Sequence, residues 1–180
     1  MPPRSKEIAK RTKTTVLIVG EGPTEKAFLG HLRELYIIRD GNVAVKVECG
    51  TGGAPVSIVQ KAIRLCGSRA YDKCYVLIDS HIPFNPDYKL SARMNRRPRI
   101  EILKATPCIE GLLLAILEYP SFSQASSSSD NCKRDFEKRY LTAEKKTDKR
   151  SYSNKFPKTL LDSRRSNIPE LNLILQAMQV

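Results

Sequence analysis

Two acidic residues stand at the ends of apolar runs in this sequence. Glu21 follows the run at residues 16–19, inside a Gly-Glu-Gly-Pro-Thr-Glu turn, and Asp79 ends the run at residues 71–79. Carboxylates that converge from separate segments can hold a hard divalent cation or transfer a proton. Glu21 and Asp79 are therefore the first candidates for metal ligands and catalytic groups.

Three further residues are candidates for the same site. Glu25 lies one helical turn after Glu21, although a glutamate there also suits the positive end of a helix dipole. His81 lies two residues after Asp79 and points to the same side if the extended geometry persists; it could be a ligand, a proton donor or a plain loop residue. Glu110 lies in an apolar segment, where a carboxylate needs a metal ion or an arginine as its partner.

The elements that must position these residues alternate between strands and helices. Unbroken runs of Val, Leu and Ile predict strands that are buried on both faces, and Pro23 suits the first turn of a helix. A largely buried, Leu-rich helix is expected to open with Thr106 as its cap and Pro107 at its first position. Strands are predicted at residues 16–19, 43–49, 71–79 and 100–103, with helices between them. Because the carboxyl ends of parallel strands meet at one edge of a sheet, we expect Glu21 and Asp79 to converge there.

A connector at residues 83–104 is unusually rich in cations. Such a run is usually a solvated face, but this one leaves the sheet directly after the predicted acidic edge. Basic residues beside an acidic metal site suit a phosphodiester substrate, whose backbone must be held while the metal polarises one phosphate. The predicted nucleic-acid-binding residues are Lys89, Arg93, Arg96, Arg97, Arg99 and Lys104.

Composition limits the class of protein and its partners. The 180 residues include 31 Lys and Arg against 19 Asp and Glu, a net charge of +12, and nucleic acid is the expected polyanionic partner. Five cysteines at irregular spacings argue against a disulfide framework and a structural zinc site, and favour a reducing cytosol. With no signal peptide pattern and no apolar run near the ~20 residues of a membrane span, we expect a soluble, cytoplasmic protein.

The composition also changes along the chain. Residues 1–14 are predicted to be a basic flexible arm, and residues 15–119 an α/β domain with a small, mostly parallel sheet flanked by helices. Residues 120–180 are predicted to be a Ser-rich linker and a basic helical extension that packs on the domain, with helices at about 132–144 and 168–178 and a loop at 145–153. The apolar stripe of the last helix is either core or a docking surface for a larger protein partner.

Three motifs in this order resemble a known superfamily. GEGPTE at residues 20–25, LIDSH at residues 77–81 and TPCIE at residues 106–110, followed by the Leu-rich helix, are similar to the motifs of Toprim domains. The third motif is similar to Asn-Pro-Cys-Phe-Glu of the RloB-like branch, which is related to the OLD-type nucleases. The resemblance covers residues 15–119 and implies a Toprim-like, Rossmann-like sheet with a Mg²⁺ or Mn²⁺ site.

The resemblance also implies roles for individual residues. Glu21 would be the metal ligand or general acid/base, Asp79 the first aspartate of an Asp-x-Asp pair, and Glu110 the downstream glutamate. His81 stands where the relatives carry the second aspartate, which should weaken Mg²⁺ and favour Mn²⁺ or a softer ion, or mark a site that no longer cleaves. Leu112 stands where the relatives carry an aromatic residue.

Two classes of function follow. The first is a Toprim-type, metal-dependent endonuclease that acts on DNA or RNA phosphodiesters, with a role in phage defence or as a toxin as in relatives. The second is a catalytically inactive nucleic-acid-binding or regulatory module that retains the fold. The retained Glu21, Asp79 and Glu110 favour the enzyme, and His81 favours the module.

Overall fold

A parallel sheet forms the centre of the protein. The computed structural model describes residues 13–50, 54–81, 83, 98–124 and 127–180. Within them four parallel strands form one sheet in the order β2-β1-β3-β4. The strands are β1 (Thr14–Gly20), β2 (Val43–Cys49), β3 (Lys73–Asp79) and β4 (Ile100–Ala105). The predicted α/β class with a parallel sheet is confirmed.

Six helices flank this sheet within the described residues. Two short 3₁₀ turns, Lys145–Thr147 and Lys149–Tyr152, join the fourth helix to the fifth. The helices are α1 (Pro23–Tyr36), α2 (Pro55–Ser68), α3 (Ile109–Glu118), α4 (Ser129–Arg139), α5 (Lys158–Arg165) and α6 (Pro169–Ala177). None of these helices combines the length with the apolar composition that crossing a bilayer requires.

The sheet separates two hydrophobic cores because successive side chains of a strand point to opposite faces. In β1, Val16 and Ile18 pack with α1 and the helices from α3 onward, whereas Leu17 and Val19 pack against α2. All four side chains are fully buried. This explains why the central strands have uninterrupted apolar sequences.

The carboxyl-terminal part of the chain shares the larger core with α1. Phe28 of α1 lies with its ring centroid 5.7 Å from Tyr152 and 5.6 Å from Phe156. His31 Nε2 lies 2.8 Å from the Phe156 carbonyl oxygen, which can only accept, so Nε2 is the donor. The apolar cluster therefore crosses the predicted boundary at residue 120, and the His31 side chain joins α1 to the carboxyl-terminal part of the chain.

Several boundaries differ from the predicted ones. The Leu-rich helix begins at Ile109 with Cys108 as its N-cap, so Thr106 and Pro107, which form a cis peptide bond, precede it. The acceptor for the first turn comes instead from a distant residue, Asp79. Helix α4 ends at Arg139 because Leu141 turns into the core, and the predicted loop at 145–153 forms the two 3₁₀ turns.

Some of the predicted features lie outside the described residues. These are residues 1–12 of the basic arm and four cations of the connector, Lys89, Arg93, Arg96 and Arg97.

Candidate metal centre

Glu21 and Asp79 meet at the carboxyl edge of the sheet. Strands β1 and β3 are neighbours, with Gly20 in register with Leu77, so the residues that follow these positions emerge side by side. The backbone N–H of Asp79 donates to Glu21 Oε2 at 3.2 Å. The turn after β1 therefore directs the Glu21 carboxylate across to the end of β3, as the strand pattern predicts.

Asp79 links the sheet edge to the start of α3. Its side chain is 5 % exposed, and Oδ1 accepts from the Ile109 N–H at 3.0 Å. The other oxygen, Oδ2, lies 3.8 Å from Nδ1 of His81, which is beyond hydrogen-bonding distance. One oxygen of Asp79 is thus fixed by a helix N-terminus while the second faces the other site residues.

Glu25 bonds to the start of α1 and lies within the electrostatic influence of Asp79 and Glu110. Its Oε2 accepts from the Gly22 N–H at 2.9 Å, which is the glutamate half of a capping box; Gly22 has no side chain to supply the other half. Burial raises the pKa of Glu25 to about 7, and the charges of Asp79 and Glu110 raise it further against the lowering effect of the backbone hydrogen bonds. The capping glutamate is therefore also part of an acidic cluster.

Gly20 allows this cluster to be compact. A Cβ atom at Gly20 would lie 2.6 Å from Cβ of Glu25 and 3.3 Å from the Lys26 nitrogen. Since real Cβ atoms do not approach so closely, a side chain at position 20 would push the first turn of α1 away from β1. The first glycine of the motif is required for packing as well as for the turn.

Glu110 is paired with a lysine rather than with an arginine. Lys146 Nζ lies 2.7 Å from Glu110 Oε1 and 2.7 Å from Glu137 Oε1. Burial lowers the pKa of Lys146, but its hydrogen bonds to the two glutamates outweigh that effect and raise the pKa overall. The remaining oxygen, Glu110 Oε2, is buried without a hydrogen-bond partner. Within the described residues, only one of the two carboxylate oxygens of Glu110 therefore has a hydrogen-bond partner.

His81 lies at the exposed rim of the site. Its backbone N–H donates to the Pro107 carbonyl oxygen at 3.0 Å, and its ring Nδ1 lies 3.1 Å from the same oxygen. A carbonyl oxygen only accepts, so Nδ1 carries the proton of the neutral ring and Nε2 keeps its lone pair. The ring is 38 % exposed and is oriented so that Nε2 can bind a metal ion or exchange a proton.

The site has an excess of negative charge. Burial raises the pKa of Asp79 to about 7, helped by the charges of Glu21 and Glu110 and opposed by the Ile109 N–H and by Lys133. Carboxylates that raise one another's pKa values are short of compensating cations. A divalent cation would supply that charge.

The described side chains at this edge are not arranged as a coordination sphere. Within the described residues, no group of three or more His, Cys, Asp or Glu side chains is arranged to hold a metal ion. Glu110 and Glu25 are directed towards Lys146 and Gly22, respectively. Glu21 and Asp79 are thus the residues best placed to hold an ion, with His81 at the rim.

The two connector cations within the described residues occupy opposite ends of β4. Arg99 is exposed and precedes the first residue of the strand, so the length of β4, about 20 Å at ~3.3 Å per residue, separates it from the acidic edge. Lys104 is exposed and pairs in register with Ile78, one position before Asp79. Of these two predicted nucleic-acid contacts, Lys104 alone lies near the site.

Sequence reasoning missed Lys146 and Lys133. Both lie in the basic carboxyl-terminal part of the chain, where many cations have similar sequence surroundings. The unpartnered acid at position 110 was the available signal, because it required a cation from elsewhere in the fold.

Comparison of the chain with models of known protein families, with characterised proteins and with solved structures gives no match.

Proposed function

We propose that this protein is a divalent-metal-dependent nuclease that acts on DNA or RNA phosphodiesters. The observation that carries the proposal is the contact between Glu21 and Asp79 at the carboxyl edge of a parallel sheet. Ligands of open α/β sheets bind at this edge. The Toprim-like order of the motifs and the net charge of +12 support the same conclusion.

Glu21 and Asp79 would hold a Mg²⁺ or Mn²⁺ ion. When bound, such an ion polarises a phosphate and lowers the pKa of a coordinated water. Asp79 is oriented by the Ile109 N–H, and Glu21 is oriented by the Asp79 N–H. These backbone donors hold the two carboxylates before any ion arrives, which reduces the reorganisation that binding requires.

His81 and Glu25 are suited to move protons. The free Nε2 of His81 lies at the exposed rim, where a leaving or attacking oxygen of a phosphodiester has access. Glu25 has a pKa raised to about 7, and a general acid or base works best when its pKa is near the working pH. Glu110 is also a possible ligand through Oε2, with Lys146 holding Oε1.

A catalytically inactive nucleic-acid-binding or regulatory module is the alternative. Two observations favour it: His81 replaces an aspartate of the motif, and Lys146 already neutralises part of the acidic cluster. Both changes reduce the negative charge that would attract Mg²⁺. The module would use the basic surface and would not cut the strand.

A cleavage assay separates the two functions. The full chain is incubated with labelled single-stranded DNA, duplex DNA and RNA in Mg²⁺, in Mn²⁺ and in EDTA, beside Glu21→Gln and Asp79→Asn. Cutting that needs the metal and is lost in both variants, but not in the exposed control Glu101→Gln, supports the nuclease. Salt-sensitive binding without cutting in any metal supports the module.

A His81→Asp variant tests the departure from the Toprim pattern. Restoring a second carboxylate should increase activity in Mg²⁺ relative to Mn²⁺ if the chain is an enzyme. Activity that appears only in this variant would identify the natural chain as a module. A cytoplasmic role in phage defence or as a toxin, with or without a larger protein partner, is part of the proposal for the enzyme.

A further inference from the structure

A polar cavity of about 390 Å³ lies between α1, the edge strand β2 and the two 3₁₀ turns. Helix α1 contributes Lys26, Gly30 and Arg33, which share one face at i, i+4 and i+7 spacing. The volume of the cavity suits a nucleotide-sized group and is far too small for a duplex. None of these residues belongs to the candidate metal centre.

The cavity contains two cations that the protein does not neutralise. Lys46 is paired with Glu48 at 3.1 Å, and Lys149 with Glu34. Within the described part of the chain, neither Lys26 nor Arg33 forms an ion pair. Asp148 also lines the cavity, and its carboxylate accepts from the Arg150 N–H, so four cations face two acids. This excess of positive charge suits an anion, and phosphate is the anion for which such sites are usual.

The cavity begins beside the acidic edge. Lys26 directly follows Glu25 in α1, and Glu48 pairs in register with Val19, one residue before β1 ends. Burial raises the pKa of the Cys49 thiol, which belongs to the next residue of β2. Among the smaller effects, the charge of Lys26 lowers this pKa and the charge of Glu25 raises it. The cavity therefore lies next to the end of the sheet that carries the acidic residues.

A second cavity of about 490 Å³ continues along the same strand. Its charged lining residues are Lys13, Arg33, Arg39 and Glu34, of which Glu34 pairs with Lys149, so the two cavities share Arg33. Ile37, Ile38 and residues 43–45 of β2 form the rest of the lining. Strand β2 is at the edge of the sheet and spans seven residues, or about 23 Å at ~3.3 Å per residue. Together the cavities form a basic groove that leads from the acidic edge along the free side of β2. We call it the β2 groove.

We propose that the β2 groove binds the sugar-phosphate backbone of one nucleic-acid strand, with Lys26 and Arg33 contacting successive segments of it. This inference rests on the proposed function for the choice of ligand, and it places the strand along β2, at the opposite edge of the sheet from β4. The groove has few aromatic side chains among its lining residues, so contacts to phosphate rather than base stacking give the affinity.

The test measures binding without cleavage. Fluorescent single strands of oligo-dT and oligo-U are titrated with the full chain in EDTA, beside the double variant Lys26→Ala/Arg33→Ala. The matched control is Arg64→Ala/Arg69→Ala, which removes the same charge from exposed positions of α2 and its C-cap on the other face of the sheet. Circular dichroism checks that all variants are folded.

We expect the groove variant to bind about 10-fold more weakly, with a salt slope that is smaller by about 1.4, because each phosphate contact contributes ~0.7 to the slope for single strands. The control should lose about 2-fold or less. Equal losses in the two variants, or a loss with inorganic phosphate but not with either strand, would overturn the proposal.

The same experiment separates this inference from the proposed function. A natural chain that cuts nucleic acid while the groove variant binds like the control would refute the groove and leave the nuclease intact. Binding that depends on Lys26 and Arg33 in a chain that cuts nothing in any metal would support the groove and refute the nuclease. Asp79→Asn should retain binding in EDTA, because Asp79 does not line the groove.

Discussion

Lys146 changes the chemistry that the motifs alone would indicate. Its ammonium group is shared between Glu110 and Glu137 and is 14 % exposed, so it acts as an internal cation next to the predicted metal ligands. A buried ion pair contributes little net stability, but the loss of one partner leaves a charge without compensation. The cost of removing Lys146 should therefore be much larger than that of removing an exposed lysine.

We expect Lys146→Met to lower the free energy of unfolding by about 3 kcal/mol, because it leaves Glu110 charged and buried without a partner. Urea denaturation measures the loss, and the exposed neighbour Lys145→Met should change stability by less than about 0.5 kcal/mol. The double variant Glu110→Gln/Lys146→Met should recover part of the loss. Equal effects at positions 145 and 146 would show that the pair is not important for stability.

Asp79 and Glu25 predict an unusual dependence of stability on pH. Both pKa values are raised in the fold to about 7, from ordinary values of 3.8 and 4.5. Between about pH 4 and pH 7 the unfolded chain ionises these carboxyls while the native protein retains their protons, so rising pH favours unfolding. The stability of the fold that depends on these two protonated carboxyls is fully present below about pH 4 and is lost as the pH rises through about 7.

Thermal unfolding of the natural chain and of Asp79→Asn across this range checks the prediction. Asp79→Asn should remove part of the pH dependence, on the order of 2 kcal/mol between about pH 5 and pH 8, whereas the exposed Asp40→Asn should not. Mg²⁺ or Mn²⁺ should raise the melting temperature more at high pH, where the carboxylates are ionised. A profile that is identical in the natural chain and in Asp79→Asn would contradict the raised pKa of Asp79.

At the scale of the elements, two helix glycines differ in the space around them. A Cβ atom at Gly111, in the first turn of α3, would lie 2.5 Å from Pro107 Cδ and 2.8 Å from the Thr106 carbonyl oxygen. A Cβ atom at Gly67, near the end of α2, would meet nothing within 4 Å. The two glycines are in the same kind of element but in opposite surroundings.

Alanine substitution should therefore have opposite effects at the two positions. Gly111→Ala should destabilise the protein by about 2 kcal/mol or more, because the backbone before α3 must move. Gly67→Ala should stabilise it by about 0.5 kcal/mol, since alanine has the higher helix propensity. Denaturant unfolding of both variants tests this, and a neutral Gly111→Ala would show that the start of α3 is adaptable.

The elements that the sequence predicted best are those whose pattern has a single physical cause. Strands β1 and β3 are buried on both faces, so an unbroken apolar run identified them, and Pro23 marked the start of α1 correctly. Helix α5 was missed because its eight residues bury only one side chain, Leu161, which is too few for a periodic signal. The start of α3 was misplaced because its first acceptor, Asp79, comes from another element.

The same distinction applies to the site. The meeting of Glu21 and Asp79 follows from strand ends in a parallel sheet, and local sequence is enough to predict it. The pairing of Glu110 with Lys146 joins residues 36 positions apart through packing of the carboxyl-terminal segment, and no local pattern specifies it. The distance of Arg99 from the acidic edge follows from its place before β4, which the predicted strand at residues 100–103 already implied.

At the scale of the whole molecule, the distribution of charge changes locally at the acidic edge of the sheet, whereas the larger hydrophobic core is continuous. The net charge of +12 is interrupted by an acidic cluster at one edge of the sheet, so the field that attracts a polyanion is weakest at the site that would cut it. A bound metal ion would add positive charge at this edge. The larger of the two hydrophobic cores is continuous along the chain, because it includes residues from β1 to α6.

The shared core leads to a prediction about the domain boundary at residue 119. Phe28 and Leu32 of α1 are fully buried in a cluster that includes Tyr152, Phe156 and Leu171. Removal of residues 120–180 would expose this face of α1 and α3 to water, at roughly 25 cal/mol per Å² of apolar surface. We expect a truncation after residue 119 to lose cooperative thermal unfolding, as measured by circular dichroism, and to bind a hydrophobic dye.

A point substitution tests the same idea in the full chain. Phe156→Ala should cost about 3–4 kcal/mol, as the deletion of a fully buried aromatic ring does, whereas Leu173→Ala, at a position 51 % exposed, should cost less than about 1 kcal/mol. A truncated chain that unfolds cooperatively, together with a mild Phe156→Ala, would establish residues 15–119 as an independent domain. The opposite result would mean that the carboxyl-terminal segment, which also carries Lys146 to the acidic edge, is an integral part of the fold that forms the site.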